Sequence, residues 1–363
     1  MKAQAAVFRD KNTPLSIETV DVSEPGPNEV LIRTAACGVC HSDLHFVQGA
    51  IPGPAPTIPG HEPAGVVEAI GANVRSVQVG DHVIACTSMF CGQCSQCIQG
   101  RPYLCQDRGA CQRSKDERPR LSQNNSEIYQ FADLSGFCDV MLVHERAIVK
   151  IDNDIPLDRA ALIGCAVTTG VGAALNTAQV APGSSVAVFG VGGVGISIVQ
   201  GARIAGARQI IAVDRLDDRL AAATHFGATH TVNSTQDDPV KAIKRLSRGG
   251  VDYAFEAVGL TSLVEQAFYC LAPHGLATIV GVIPQGERLT LHPGHFYVEK
   301  RLQGCFMGSN RFHVDAPHYL ELYRQNKLDL DAMVSERMPL GQINEAFRAM
   351  EAGEVTRTVL VFE

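Results

Sequence analysis

The stretch from Ser185 to Asp214 constrains the fold of this chain more than any other. Val186-Ala187-Val188-Phe189 is an apolar run of strand length, and Gly190-Val191-Gly192-Gly193-Val194-Gly195 follows it with no spacer. A helical pattern then covers Val194 to Ala205, and a second strand-like run, Ile210-Ile211-Ala212-Val213, ends on Asp214. Strand, glycine turn, helix and strand in that order make a βαβ unit, so the spacing predicts an α/β region built on a doubly wound parallel sheet. The pattern continues with a helix over Asp218 to Phe226 and strand candidates at Val251 to Val258 and Ala277 to Val282.

Each glycine in the turn has a separate task. Gly190 permits the tight turn, Gly192 lets a pyrophosphate approach the backbone, and Gly195 allows the helix to pack closely on the strand. Gly193 and Val194 open the helix, whose N-terminus attracts phosphate. Asp214, 24 positions beyond Gly190, can accept hydrogen bonds from an adenosine ribose and would repel a 2′-phosphate, so NAD is favoured over NADP. Arg215 and Arg219 stand near enough to soften that preference, although a solvated face is the plainer account of both.

The first part of the chain has a different grammar. From Val7 to about Lys150, short β-like runs such as Val30-Leu31-Ile32, Gly65 to Ile70 and His82 to Ala85 alternate with Gly/Pro turns, without a long helical period. After about Phe306 helical patterns lead to a final β-like run, Arg357 to Phe362. Such a run suits a return to the first domain, giving a β-rich domain of residues 1–166 and 307–363 and a nucleotide domain of 167–306 inserted in it. The polar stretch from Arg108 to Ser135 reads as a long loop.

Charge and composition narrow the partners. The formal net charge is −7, and no Lys/Arg cluster marks a nucleic-acid or anionic-membrane surface. Charge arrives too early at the N-terminus for a signal peptide, and the apolar stretch from Val186 to Val199 is broken by glycines and too short to span a bilayer. The expectation is a cytoplasmic protein acting on small molecules, with no nucleic-acid or membrane partner.

Twelve cysteines in 363 residues argue for thiol chemistry rather than for a disulfide scaffold of the kind short secreted chains use. Four of them form Cys91-x2-Cys94-x2-Cys97-x7-Cys105, which can wrap four thiolates around one zinc with tight turns between them. An iron–sulfur cluster is the rival, but the seven-residue last gap and the lack of a proline after Cys105 differ from the common ferredoxin run. Four thiolates leave no open position on zinc, so this site would be structural.

A second set is dispersed: Cys40-His41-Ser42-Asp43, Gly60-His61-Glu62 and Gly164-Cys165. Each alone is more simply a packed or hydrogen-bonded side chain. Together, Cys40, His61 and Cys165 supply the three ligands that a catalytic zinc needs beside its open position. Cys37 makes a CxxC pair with Cys40, but outside a thioredoxin-like context.

In this order, the dispersed ligands, the four-cysteine lobe and the dinucleotide fingerprint resemble the zinc-containing medium-chain dehydrogenases, specifically their alcohol dehydrogenase branch. Gly38-Val39-Cys40-His41-Ser42-Asp43, Gly60-His61-Glu62, Gly80-Asp81-His82-Val83 and Gly249-Gly250-Val251-Asp252 extend the resemblance nearly end to end. It implies a GroES-like β-rich catalytic domain joined to a Rossmann domain, with two zinc ions per chain and NAD. It further implies that Cys40, His61 and Cys165 ligate catalytic zinc, with Glu62 as an alternative ligand and Asp43 steadying His61. Cys91, Cys94, Cys97 and Cys105 would hold the structural zinc. Ser42 and His45 would relay the alcohol proton outward, His41 and Arg357 would contact cofactor phosphates, and Arg219 would lie near the adenosine ribose. Val282 would border the cofactor and substrate.

Several positions depart from the usual pattern. Ala166 follows Cys165 where glycine is common, and Cys138 replaces another small residue; both are expected to adjust packing only. Thr87 stands where an aromatic residue often lines the substrate channel, and Ser42 is smaller than the common threonine. The expectation is a roomy pocket for aromatic, allylic or branched alcohols. Two alternatives remain: a glutathione- or mycothiol-dependent formaldehyde dehydrogenase, although Ala50 to Pro56 lacks acidic residues for a glutathione adduct, and a non-catalytic zinc- and nucleotide-binding protein. The Arg108–Ser135 loop resembles that of dimeric members, so a homodimer is expected, with a tetramer as the alternative.

Overall fold

A computed structural model describes residues 1–362. The chain divides into two compact units, one made of Met1–Cys165, Arg311–Glu321 and Leu330–Glu363, the other of Ala166–Asn310 and Leu322–Asp329. The C-terminal stretch that the sequence assigns wholly to the first domain is thus interrupted by Leu322–Asp329. Asp329 anchors this segment within the second unit: its N–H donates to Gln200 Oε1 at 2.7 Å and its carboxylate pairs with His225 at 3.0 Å.

The first unit is built on a seven-stranded sheet. Its order is Ile148–Ile151, His82–Ala85, Glu62–Ile70, Glu29–Gly38, Thr358–Val361 and Glu336–Pro339, with Val140–His144 also paired to Glu29–Gly38. Glu29–Gly38 is buried at nearly every position, as a strand covered on both faces must be. The last strand, Thr358–Val361, lies antiparallel to it, with Val359 opposite Gly38. Glu62–Ile70 pairs on the other side through two register shifts and brings Glu62 opposite Gly38. Those pairings set the ends of three strands side by side, where the metal-ligand candidates begin.

The polar stretch after Arg108 contains more order than its composition suggests. Leu121–Gln123 and Ser126–Glu127 form a hairpin that extends the small sheet of Lys2–Val7 and Ser16–Val22. Its two turn residues, Asn124 and Asn125, have φ of 49° and 64°, the left-handed pair that a two-residue hairpin turn requires and that asparagine tolerates. Glu29 ties the same stretch down: its carboxylate, 4% exposed, pairs with both Arg113 and Arg120. Burial opposes its charge, but hydrogen bonds from the two guanidinium groups hold its pKa below the usual glutamate value.

The second unit carries a six-stranded parallel sheet in the order His230–Asn233, Gln209–Asp214, Ser185–Phe189, Val251–Glu256, Leu271–Ile279, Arg301–Gly304. Ala187, Phe189, Ile211, Val213, Ala254, Phe268 and Leu271 belong to its core. The helices Gly193–Ile204 and Asp217–Phe226 fall where the sequence pattern puts them, the second closed by Gly227 at φ 117°. The helix Pro239–Ser247 starts at Asp238, whose side chain accepts from Lys241 N at 3.1 Å. The architecture is therefore α/β, a GroES-like β-rich unit and a Rossmann-type sheet.

Candidate active site and metal centres

Cys40 immediately precedes the helix His41–Val47, His61 and Glu62 stand at the start of the strand Glu62–Ile70, and Cys165 ends the turn Ala161–Gly164. The fold collects these positions so that their donor atoms lie within 4.8 Å of one another, all four residues buried. Asp43, fully buried, knits the group together. One carboxylate oxygen accepts from Gly60 N and hydrogen-bonds His61 Nδ1, both at 2.9 Å, while the other accepts from Cys40 N at 3.3 Å. With Nδ1 turned to a carboxylate, His61 presents Nε2 to the group, the arrangement that orients a metal-binding imidazole.

Charge in this pocket is balanced pairwise. The hydrogen bond from Cys165, helped by His61 and Arg357, holds Cys40 as a thiolate well below the usual thiol range, and the same bond pushes Cys165 well above it. Burial works against a charged His61, but Asp43 and Cys40 outweigh it and raise its pKa. Burial pushes the Glu62 carboxyl up to about 8, although Arg357 pulls the other way. Glu62 Oε1 pairs with Arg357 at 2.5 Å, whereas Oε2 is buried with no partner. Two thiols, an imidazole and a carboxylate with an orphaned oxygen fit a divalent cation of borderline softness such as zinc. Cys37 stays outside the group: it is fully buried, its thiol donates to Gly38 O, and burial raises its pKa.

The four-cysteine lobe gives the second cluster. Its sulfurs also lie within 4.8 Å of one another, with Cys94–Cys97 at 3.5 Å, Cys91–Cys97 at 3.9 Å and Cys94–Cys105 at 4.0 Å. A tetrahedron of sulfurs each about 2.3 Å from zinc has edges of about 3.8 Å, so the spacing suits a shared ion. It is far too wide for disulfides. Backbone N–H groups of Cys94 and Gln93 point at Cys91 Sγ, that of Cys91 at Cys105 Sγ, and that of Gln106 at Cys94 Sγ, at 3.2 to 3.5 Å. Such donors stabilise thiolate charge.

In the second unit the glycine turn behaves as its spacing predicts. Gly190 has φ 82°, and a Cβ on Gly195 would stand 1.9 Å from Gly190 O, so neither position accepts a side chain. Around Gly192 there is open space, which leaves the backbone approachable. Gly193 and Val194 start the helix Gly193–Ile204. Asp214, 8% exposed, accepts from Val191 N at 3.0 Å and from Arg215 N and Leu216 N at 2.8 and 3.2 Å, so its carboxylate is fixed at the strand end.

Residues 26–153 match the alcohol dehydrogenase GroES-like domain, and residues 193–323 match the zinc-binding dehydrogenase domain. An alcohol dehydrogenase zinc-binding domain protein from Burkholderia ambifaria is 35% identical, with a TM-score of 0.95 over 100% of this chain and 99% of that one. The chain belongs to the zinc-binding medium-chain dehydrogenases. Benzyl alcohol dehydrogenase from Acinetobacter calcoaceticus is 32% identical with a TM-score of 0.95, both chains covered completely. A zinc-binding dehydrogenase from Sinorhizobium meliloti 1021, bound to NADP, is 28% identical with a TM-score of 0.84, again over 100% of each chain.

Within this zinc dehydrogenase, Ser42 and His45 are three residues apart on one helix and both half-buried, so they share a face. His41 is exposed, and its ring lies 6.2 Å from that of His45. Arg219 is half-buried on Asp217–Phe226 with its Nε unpartnered, and Val282 is 52% exposed. Arg357, for which the resemblance implies a cofactor-phosphate contact, lies beside the metal-donor group. It is 5% exposed, and its guanidinium pairs with Glu62 and donates to Val39 O, so its charge is engaged beside the metal donors. Sequence reasoning also missed Phe131, whose ring meets His61 edge-on at 5.7 Å. Nothing in the local pattern around Phe131 signals that contact.

Proposed function

We propose that this dehydrogenase oxidises aromatic, allylic or branched alcohols to their aldehydes or ketones, with NAD as hydride acceptor and zinc in both donor clusters. The observation that carries the reading is the fully buried group of Cys40, His61, Glu62 and Cys165, with one carboxylate oxygen unsatisfied and His61 oriented by Asp43. Zinc held there would polarise the alcohol oxygen and make its proton acidic. Ser42 would accept that proton and His45, one turn further along the same face, would pass it on towards solvent. Asp43 keeps the imidazole in one orientation throughout, and Arg357 stays paired with Glu62.

The aromatic preference draws support from the full-length likeness to a benzyl alcohol dehydrogenase and from Thr87, smaller than the aromatic residue common at the channel position that the resemblance assigns to it. The preference for NAD rests on Asp214, whose fixed carboxylate would repel a 2′-phosphate. No single helix among the described residues is long and apolar enough to cross a membrane. A cytoplasmic setting is favoured because the two thiol-rich donor groups, seven of whose eight donors are Cys or His, need reduced cysteines. A homodimer is favoured because Arg301–Gly304 ends the parallel sheet with one edge unpaired, beside exposed Phe296, Tyr297 and Val298. Light scattering on the purified protein checks this.

The deciding assay follows reduced-nicotinamide absorbance with NAD and then NADP across ethanol, benzyl alcohol, cinnamyl alcohol and branched alcohols. Signal with NAD and the aromatic alcohols, lost on zinc chelation, is the expected outcome. Ethanol turning over far better than benzyl alcohol would overturn the substrate class. Turnover confined to formaldehyde plus glutathione or mycothiol would replace it with the thiol-adduct reaction.

A further inference from the structure

The turn Phe131–Asp133 holds an improbable backbone. Ala132 and Asp133 have φ of 55° and 65°, and Ser135 follows at 76°, so three non-glycine residues within four positions occupy the left-handed region. Alanine and serine do not choose that region unaided, and such a run persists only where its surroundings over-determine it. The surroundings here are specific. Arg108 donates to Asp133 Oδ2 at 2.9 Å and Gln112 donates to Asp133 Oδ1. Gln130 Nε2 donates to Leu134 O, Ser135 Oγ and Leu142 O at 2.8 to 3.1 Å, and Arg120 fixes the other end of the same amide.

What the turn carries is Phe131. Its ring packs against that of Phe46, tilted by 36° at 4.7 Å, and meets the imidazole of His61 edge-on at 5.7 Å. Arg108 has a second task, since the nitrogen that grips Asp133 also donates to the carbonyl of Thr87. Thr87 and Phe131 are both half-exposed, on separate segments of the first unit, and the Arg108 guanidinium bridges the two.

We propose that the Arg108–Asp133 pair is a positioning device that locks Phe131 against His61 and ties it to Thr87, and thereby sets the size and shape of alcohol the metal site accepts. Neither residue touches the reacting atoms; both act through Phe131 and Thr87. The substrate part of this inference rests on the alcohol-oxidising reading above, but the locking part does not.

The experiment exploits the absence of tryptophan from the chain. Phe131→Trp in the full-length, zinc-loaded protein places a single reporter on the turn, and Asp133→Asn is added to it. Asparagine tolerates the left-handed backbone, so this change removes the ion pair and leaves the turn accessible. Arg108→Lys, which keeps the charge and loses the forked geometry, serves as the second variant. The expected result is a red-shifted emission and an acrylamide quenching constant about twofold higher in both double variants, with zinc content unchanged. In the Phe131 background, Asp133→Asn should raise KM for benzyl alcohol about fivefold while ethanol parameters stay within about twofold. Unchanged emission and quenching in both double variants overturn the lock, whatever the enzyme turns over. Equal losses for both alcohols, or a melting shift with constant selectivity, overturn its role in specificity. A chain that oxidises no alcohol removes the functional reading instead, and the fluorescence comparison still decides the lock.

Discussion

The two candidate metal sites are assembled from opposite directions. The lobe draws Cys91, Cys94, Cys97 and Cys105 from fifteen consecutive positions, and only Cys91 is buried. The other cluster draws Cys40, His61, Glu62 and Cys165 from ends of distant segments and buries all four. Within the lobe, backbone N–H groups spaced along the same turns serve the sulfurs, so ligand and support come together from one short segment. In the buried cluster the support is long-range: Asp43 for His61, Arg357 for Glu62. The lobe has four sulfur donors and nothing left over, whereas the buried cluster retains an unpartnered carboxyl oxygen on Glu62. A closed site stabilises; an incompletely satisfied one can bind and react.

The sharpest way to break this contrast is to remove a ligand from each cluster. His61→Ala should lower kcat/KM by on the order of 10^3-fold, since polarisation of the alcohol by the metal is worth several kcal/mol. Circular dichroism and nucleotide binding should be unchanged. Turnover within tenfold of the parent would show that the buried cluster is not the reaction centre. Cys97→Ser should act in the other sense: native mass spectrometry loses one metal, and the melting temperature falls by roughly 5–10 °C, because structural zinc contributes directly to folding. If this variant loses turnover at the first alcohol tested while keeping both its metal and its melting temperature, the division of labour is wrong.

A smaller effect tests the long-range support. Asp43→Asn leaves the size of the side chain intact and weakens its grip on His61 Nδ1, Gly60 N and Cys40 N. Outer partners of metal-bound histidine are typically worth about 10–100-fold in metal affinity or activity, and the loss should appear in both a zinc-competition titration and kcat. An unchanged zinc affinity would mean that packing alone orients the imidazole.

How much of this the sequence disclosed follows the same divide. The lobe was legible because its ligands are neighbours in the chain, and the glycine turn because each residue answers to a local steric need, as the 1.9 Å approach at Gly195 shows. The buried cluster was legible only as a conjunction of motifs, since no spacing rule connects position 40 with 165. Arg357 was not legible as a partner of Glu62 for a related reason. Its partner Glu62 is brought to it by the pairings of Thr358–Val361 and Glu62–Ile70 with the same strand, a relation between residues nearly three hundred positions apart. The hairpin at Asn124-Asn125 did carry a signal, two asparagines between short strand-like runs, that the polar composition of the stretch obscured. The left-handed Ala132 carried none, because tertiary hydrogen bonds rather than intrinsic preference hold it there.

The finest test of the contrast concerns the lobe with its metal removed. Hydrogen bonds from the backbone at Gln106 and Cys97 hold the Cys94 thiol at about 6, although its neighbours are other thiols. Burial and the adjacent sulfurs push Cys97 up to about 12. The thiolate is the nucleophile, and its fraction rises as pH passes upward through the pKa, so alkylation of Cys94 by iodoacetamide should rise with a midpoint near pH 6 and level off about one to two units above it. Cys97 should stay unreactive through neutral pH, and zinc should protect both. Peptide mass mapping at a series of pH values between 5 and 9 reads the order directly. If all four lobe cysteines are alkylated together with a midpoint near the ordinary thiol value, the backbone donors do not pre-organise thiolate charge. The lobe would then owe its shape to the metal alone, and its contrast with the buried cluster would reduce to exposure.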